Sequence, residues 1–489
     1  MRRAQDRERT NGPGGPGACL LWFRRDLRLS DNPALNAALA RGGPIVPVYI
    51  ESSADDESRA PGRASVMRLR RSLAALDADL RRRGSRLILR DGPAAPALAR
   101  LLEETGARAV YWSRIHEPAA LREEERVRRA LTDASREARD FPGNLLFAPD
   151  DLRTKAGAPF RVFTPYYREA LRRLDLDPVV LLPPRRPLPA PSRWPRARVA
   201  ERPGSRRDAE HARACDEAGE RAAQQRLAAF VDEHVLEYER LHDRPDLDAT
   251  SRLSAHLHFG EISVQQVWQA IATRARRSPG ADAFLRQLIW REFAHHVLAS
   301  FPALPDRPLH APFGRLPWTR PGARFDAWRA GRTGYPLVDA AMRQLRETGW
   351  VHNRARLVAG SFLVKDLLIR WQAGERWFWE MLADGDVANN AFNWQWVAGC
   401  GADPAPFFRI FNPMLQGRKF DPRGEYVRRY VPELARLSER HIHEPWDAPA
   451  DVLRTAGIRL GRDYPRPIVD HAQARDRALM AFDVIKSRS

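Results

Sequence analysis

Between Ala18 and about Leu146, short apolar runs alternate with longer stretches whose apolar residues recur at a helical period. The runs are Cys19-Leu-Leu-Trp-Phe23, Ile45-Val-Pro-Val-Tyr-Ile50, Arg86-Leu-Ile-Leu-Arg90 and Ala109-Val-Tyr-Trp112. Between them, Ala64 to Arg83, Ala94 to Glu104 and Glu117 to Ala138 are rich in Ala, Leu, Arg and Glu and space their apolar residues near 3.6. That rhythm predicts strands joined by crossover helices, and so a parallel sheet. From Leu182 to Gly204 proline is too dense for either a helix or an inner strand. From about Ala222 helical periods dominate and β-branched runs are few, which predicts an all-α second half. The pattern divides the chain into a disordered tail over 1–17, an α/β domain over 18–150, an interdomain linker over 151–221 and a helical domain over 222–489. No internal repeat is visible.

Composition narrows the class. The 489 residues are 43% hydrophobic, enough for more than one core, and the net charge of +19 is a footprint for polyanions, nucleic acid first. Cys19, Cys215 and Cys400 lie too far apart for a disulfide framework, a CxxC metal pair or an iron–sulfur set, which suits a reducing cytoplasm. The apolar run Ala18 to Phe23 is too short for a secretory core, and no later run approaches a membrane span. No GxGxxG follows the first strand, so the usual dinucleotide fingerprint is missing.

The chemistry concentrates in the helical half, where all but Trp22, Trp112 and Trp194 of the 14 tryptophans lie. Asp384-Gly-Asp-Val-Ala-Asn-Asn-Ala-Phe-Asn-Trp394-Gln-Trp396, continued by Phe408-Arg-Ile-Phe-Asn-Pro413, sets carboxylates, amides and large aromatics where a plain core helix would carry aliphatics. Such a run must hold something polar and planar. With Trp350-Val-His-Asn-Arg-Ala-Arg356 and Thr250-Ser-Arg-Leu-Ser254, it resembles the FAD-binding region of the photolyase/cryptochrome family. The resemblance runs from roughly Ala18 to the end of the chain and is closest to the bacterial class I cyclobutane pyrimidine dimer photolyases. It implies a Rossmann-like antenna domain, a helical FAD-binding catalytic domain, and light-dependent repair of UV-damaged DNA by a cytoplasmic, monomeric lyase.

Carried over residue by residue, the resemblance implies a phosphate end of FAD held by Tyr238, Thr250, Ser251, Arg252, Leu253 and Ser254. Hydroxyls and backbone N–H groups at a helix start suit that task. Arg291 and Asn353 also belong to the implied cofactor set. At the ring end, Arg356 is expected to pair with Asp384, Asp386 to lie along the pyrimidine edge, and Asn390 to face N5. An amide there can accept from a protonated nitrogen or donate to a bare one. Trp394, Trp371 and Trp318 fall where the family has its electron-relay triad. Trp290 and Trp396 match the walls that stack on the lesion, Asn353 and Leu357 adjoin it, and Arg354 and Arg409 match phosphate contacts.

One departure keeps two other readings open. Gln287 stands where the common dimer photolyases carry glutamate, and glutamine resembles the (6-4) photolyases and animal cryptochromes. Those carry a histidine pair that would fall at Asn353 and Leu357, and neither is histidine here, so a (6-4) acid catalyst is missing. A blue-light photoreceptor with the same fold and flavin is the main alternative. Glu117 matches a folate-contacting glutamate in some relatives, although an acid at the start of a helix also complements the dipole. The second chromophore, methenyltetrahydrofolate or a deazaflavin, stays undetermined at this level, and no residue set suggests a metal.

Overall fold

A computed structural model of the chain describes residues 17–51, 59–182, 187–192, 194–195, 217–274 and 278–486. The expected tail, apart from Gly17, lies outside the described residues, as do Cys215 and much of the proline-dense stretch.

The four sequence-predicted strands form at Cys19–Phe23 (β1), Ile45–Glu51 (β2), Ile88–Asp91 (β3) and Ala109–Ser113 (β4), and a fifth at Glu137–Phe141 (β5) joins them. All pair in parallel in the order β3-β2-β1-β4-β5. β5 falls at the end of a stretch expected to be helical through Ala138. The helix there stops at Asp133, and Ser135 turns the chain with a φ of 53°. An edge strand needs no continuous apolar run, so Glu137-Ala-Arg-Asp-Phe141 carries little strand pattern of its own. Helices Pro33–Arg41 (α1), Arg63–Arg81 (α2), Ala94–Thr105 (α3) and Pro118–Asp133 (α4) connect the strands. Because side chains alternate along a strand, Leu20 and Trp22 pack on one face with Leu98 and Leu101, while Cys19, Leu21 and Phe23 pack on the other with Leu35 and Leu76.

The stretch expected as linker is partly structured. Phe163–Leu176 (α5) is a helix whose apolar stripe of Phe163, Tyr166 and Ala170 buries against the helical domain beside Phe293 and Val297. Leu188 sits in the sheet core, and Pro189 accepts from the N–H of Ile45 at 2.8 Å, so this part of the proline-dense segment lines the sheet.

The helical domain, with its helices labelled in chain order, is built around Glu220–Glu233 (α6), Ser254–His258 (α7), Pro279–Ser300 (α8), Ala323–Ala330 (α9), Pro336–Thr348 (α10), Asn353–Ser361 (α11), Trp371–Met381 (α12), Val387–Ala398 (α13), Pro413–Phe420 (α14) and His471–Lys486 (α15). Its largest core joins α9 to α13 through Trp328, Val338, Phe362, Phe378 and Trp394. No described helix is long and apolar enough to cross a membrane.

The two domains are tied by buried charge. Arg68 on α2 donates to Glu261 at 2.6 Å, His256 meets the same oxygen at 2.6 Å, and the N–H of Gly219 takes the other at 2.7 Å.

Candidate functional site

The loop before α7, the end of α10 and the turn before α13 converge on a cavity of about 330 Å³ lined by Arg252, Ser254, His256, Thr348, Trp350 and Asp384. Arg252 has a φ of 51°, an uncommon backbone state for a residue with a Cβ, and its guanidinium lies 4.6 Å from the Trp350 ring. Thr250 and Ser251 are half-buried just before it, and Ser254 is exposed as the first residue of α7. Leu253 and Tyr238 are not in the lining. Both are buried in the core below, where the Tyr238 ring packs against Phe230, Phe284 and His242.

Asp384 and Arg356 form no direct ion pair, contrary to the expectation from sequence. Asp384 Oδ1 and Arg356 Nε are each buried without a hydrogen-bond partner among the described residues, and so is His352 Nε2. Burial pushes the Arg356 guanidinium below its ordinary range, and the field of Asp384 only partly opposes this. Buried polar groups are seldom left unsatisfied. Asp384 is near enough for its field to act on Arg356, yet no hydrogen bond joins them, which fits a ligand that supplies the missing partners.

Asp386, two residues on, turns the other way. Its Oδ1 caps α13 by accepting from the N–H of Asn389 at 2.8 Å, and its Oδ2 faces the junction of the two domains. There it lies 3.5 Å from His295, 3.6 Å from His258 and 3.9 Å from Arg25. Burial alone would raise it, but His295, His258 and Arg25 outweigh burial and hold it well below the usual carboxylate range. Arg291 lines the same small cleft and donates to the carbonyl of Asn144 at 2.8 Å. Asp386 and Arg291, both expected at the cofactor, therefore stand together at the domain junction and apart from Asp384. The cap explains the split, because a side chain folded back over its own helix start cannot also face forward.

Asn390 is buried on α13, and its Nδ2 donates to the main-chain oxygen of Glu375 at 3.0 Å and to its carboxylate at 2.8 Å. Both amide hydrogens are thereby used, so only the oxygen is offered to a ligand. Trp394 and Trp371 are 4% and 1% exposed in the main core, and Trp318 is half-buried at its margin. The three rings do not stack on one another. The ring neighbours of Trp394 are Phe378 at 5.1 Å and Trp328 at 6.3 Å.

The residues expected at a lesion are less open than a bare wall. Trp290 is stacked on Phe163 of α5, ring centres 3.5 Å apart and planes within 6°, so one of its faces is taken. Gln287 is exposed one turn before it, and Trp396 and Leu357 are half-buried. Asn353 and Arg409 are exposed, with Phe408 beside Arg409 at 60% exposure. Arg354 is not free either: it pairs with Asp243 and lies 4.4 Å over the ring of Phe420. Burial lowers the His352 imidazole to about 4, so it is neutral and its Nδ1 accepts from the N–H of Arg354. Glu117 leads into α4 but makes no side-chain cap. It pairs with Arg25 instead, their second contact at 3.1 Å, and lines a separate cavity of about 700 Å³ with Trp22, Tyr49, Glu51 and Trp379.

Sequence reasoning missed Glu375, Phe163 and the cluster of Arg25, His258 and His295. Phe163 was legible, since Phe163, Tyr166, Ala170 and Leu174 fall at helical spacing. Nothing local marks the others.

The chain is similar to known proteins along nearly its whole length. The family described as "DNA photolyase" matches residues 19–192, and "FAD binding domain of DNA photolyase" matches residues 284–484. A deoxyribodipyrimidine photo-lyase of Agrobacterium fabrum is 45% identical over 96% of this chain and 98% of its own. Cryptochrome-1 of Arabidopsis thaliana is 38% identical over 95% of this chain and 70% of its own. The crystal structure of a bacterial class III photolyase from Agrobacterium tumefaciens is 44% identical and superposes with a TM-score of 0.92, over 97% of this chain and 99% of that one.

Proposed function

The chain belongs to the photolyase/cryptochrome family, and from that premise we propose that it is a deoxyribodipyrimidine photo-lyase, splitting cyclobutane pyrimidine dimers in UV-damaged DNA under light. The observation that carries this reading is the pair of buried, unpartnered atoms on Arg356 and Asp384, set in a chain that matches photo-lyases along nearly its whole length. They suit FAD, which when bound supplies the light absorption and the electron chemistry. The protein's part is to hold, orient and tune. Arg252 and Ser254 face the cavity from the phosphate-suited loop, with Thr250 and Ser251 behind them. Arg356 and Asp384 would hold the ring end, Asn390 would offer it an acceptor, and Trp394, Trp371 and Trp318 would supply electrons from the core and its margin. Arg354 and Arg409 meet phosphates, and Gln287 and Trp396 border the extruded bases with the uncovered side of Trp290.

Within the family we place the chain beside the class III bacterial photolyases and not with class I, as motifs alone suggested; the support is 44% identity to a class III structure. We take 18–150 as the antenna domain and 222–489 as the catalytic one, and read the protein as cytoplasmic and monomeric on its scattered cysteines and small set of exposed apolar residues. The cavity of about 700 Å³ lies outside the carboxyl ends of the strands where the strand order reverses, a favoured ligand position in parallel sheets. A folate or deazaflavin antenna fits there, and absorbance of the released chromophores identifies it.

Gln287 supports a second reading, a photoreceptor that binds flavin and cleaves nothing. One assay separates the two: dimer-containing DNA is incubated with the purified protein under near-UV or blue light and in the dark. Light-dependent loss of dimers is the expected result. Bound flavin with no loss of dimers would favour the photoreceptor.

A further inference from the structure

Directly after the undescribed residues 52–58, Arg59 of the sheet domain reaches into the helical domain. Its Nη1 donates to Glu375 at 2.6 Å, and its guanidinium lies 5.1 Å from the ring of Trp379. The indole N–H of Trp379 donates to the carbonyl of Ala60 at 2.7 Å. Gly62 follows so closely on α12 that a Cβ there would stand 2.0 Å from the carbonyl oxygen of Trp379, so the segment 59–62 is docked without slack. Glu375 is 1% exposed, and the oxygen that receives Arg59 also receives Asn390.

We infer that Arg59 is a positioning residue for the cofactor: its ion pair fixes the Glu375 carboxylate in place, and Glu375 in turn locks the Asn390 amide with its oxygen outward. This rests on the reading that Asn390 faces the flavin N5. An ionised carboxylate only accepts, so it fixes the amide with both hydrogens inward. The flipped amide would set oxygen against oxygen at two contacts. Without Arg59 the carboxylate is no longer held in place, so of the two contacts only the main-chain oxygen of Glu375 still orders the amide, and it turns over more readily to offer N–H to the ligand. The wild-type arrangement favours a protonated N5, and the setting is made by the domain that does not contain the site.

The test uses the full-length, FAD-loaded protein and three variants, Arg59→Met, Arg59→Lys and Glu375→Leu, with Arg63→Ala as a control at an exposed ion pair on the same segment. The readout is the visible absorption of the bound flavin after illumination at fixed pH, which reports the protonated share at N5. Arg59→Met and Glu375→Leu should lower the ratio of protonated to unprotonated flavin about fivefold, the weight of one net hydrogen bond. Arg59→Lys should restore most of it, and Arg63→Ala should leave it unchanged. If Arg59→Met and Glu375→Leu bind flavin and keep the wild-type spectrum, the positioning role is wrong while the flavin site stands. A wild-type protein that takes up no FAD would overturn the site and the inference with it.

Discussion

Replacing Arg68 by methionine tests the junction that brings the sheet domain onto the cavity. Arg68 and Glu261 are 3% and 0% exposed at the side chain, so solvent does not screen them, and Arg68 and His256 both line the cavity wall. Methionine keeps the stem but leaves buried Glu261 with only His256 and the Gly219 N–H, a loss of one charge-assisted hydrogen bond that costs about 1.5–3 kcal/mol. Adding Glu261→Gln removes the buried charge while an oxygen still accepts from Gly219, so the double variant should regain at least about 1 kcal/mol. The pH dependence follows with a definite sign. Burial alone would raise Glu261, but His256 and Arg68 outweigh it and hold the carboxyl below 4.5. Its contribution is therefore complete above 4.5 and fades as pH falls through the depressed value. Urea unfolding at pH 7 should show the full deficit of Arg68→Met, and the gap to wild type should narrow at about pH 4, where the wild type begins to lose the pair. A variant within about 1 kcal/mol of wild type at pH 7, or a double variant no better than the single, would refute the account.

Trp394→Phe should preserve fold and flavin content, since phenylalanine fills much of the space beside Phe378 and Trp328, and should strongly slow photoreduction; an unchanged rate in absorbance kinetics would mean another donor serves the flavin. Asp243→Asn frees Arg354, so affinity for dimer-containing DNA should rise and the slope of log affinity against log salt should steepen by about 0.9, one more neutralised phosphate. Titrations that leave both unchanged would place Arg354 away from DNA. Gln287→Glu should raise repair per absorbed photon modestly at constant flavin content, because a carboxyl can transfer a proton and an amide cannot; equal quantum yields would show glutamine to be an adequate substitute.

What the chain determined by itself is what rests on neighbouring residues. The strands at Cys19–Phe23, Ile45–Glu51 and Ala109–Ser113 lie within a residue of the apolar runs that predict them, because a strand buried on both faces writes its limits as continuous hydrophobicity. The helical second half and the dense polar-aromatic run of Asp384 to Trp396 were equally plain. β5 and α5 were harder: one is an edge strand with charged residues, the other a helix inside a stretch taken for linker.

Tertiary structure alone decided the partners. Asp384 and Asp386 look like one motif, yet capping of α13 sends the second to the domain junction. Arg59 meets Glu375 across 316 positions, and Asp243 takes Arg354 across 111. A side chain's charge partner is chosen by which surfaces the packed domains bring together in a dry interior. Periodicity, which reads only a few residues at a time, carries no record of that choice.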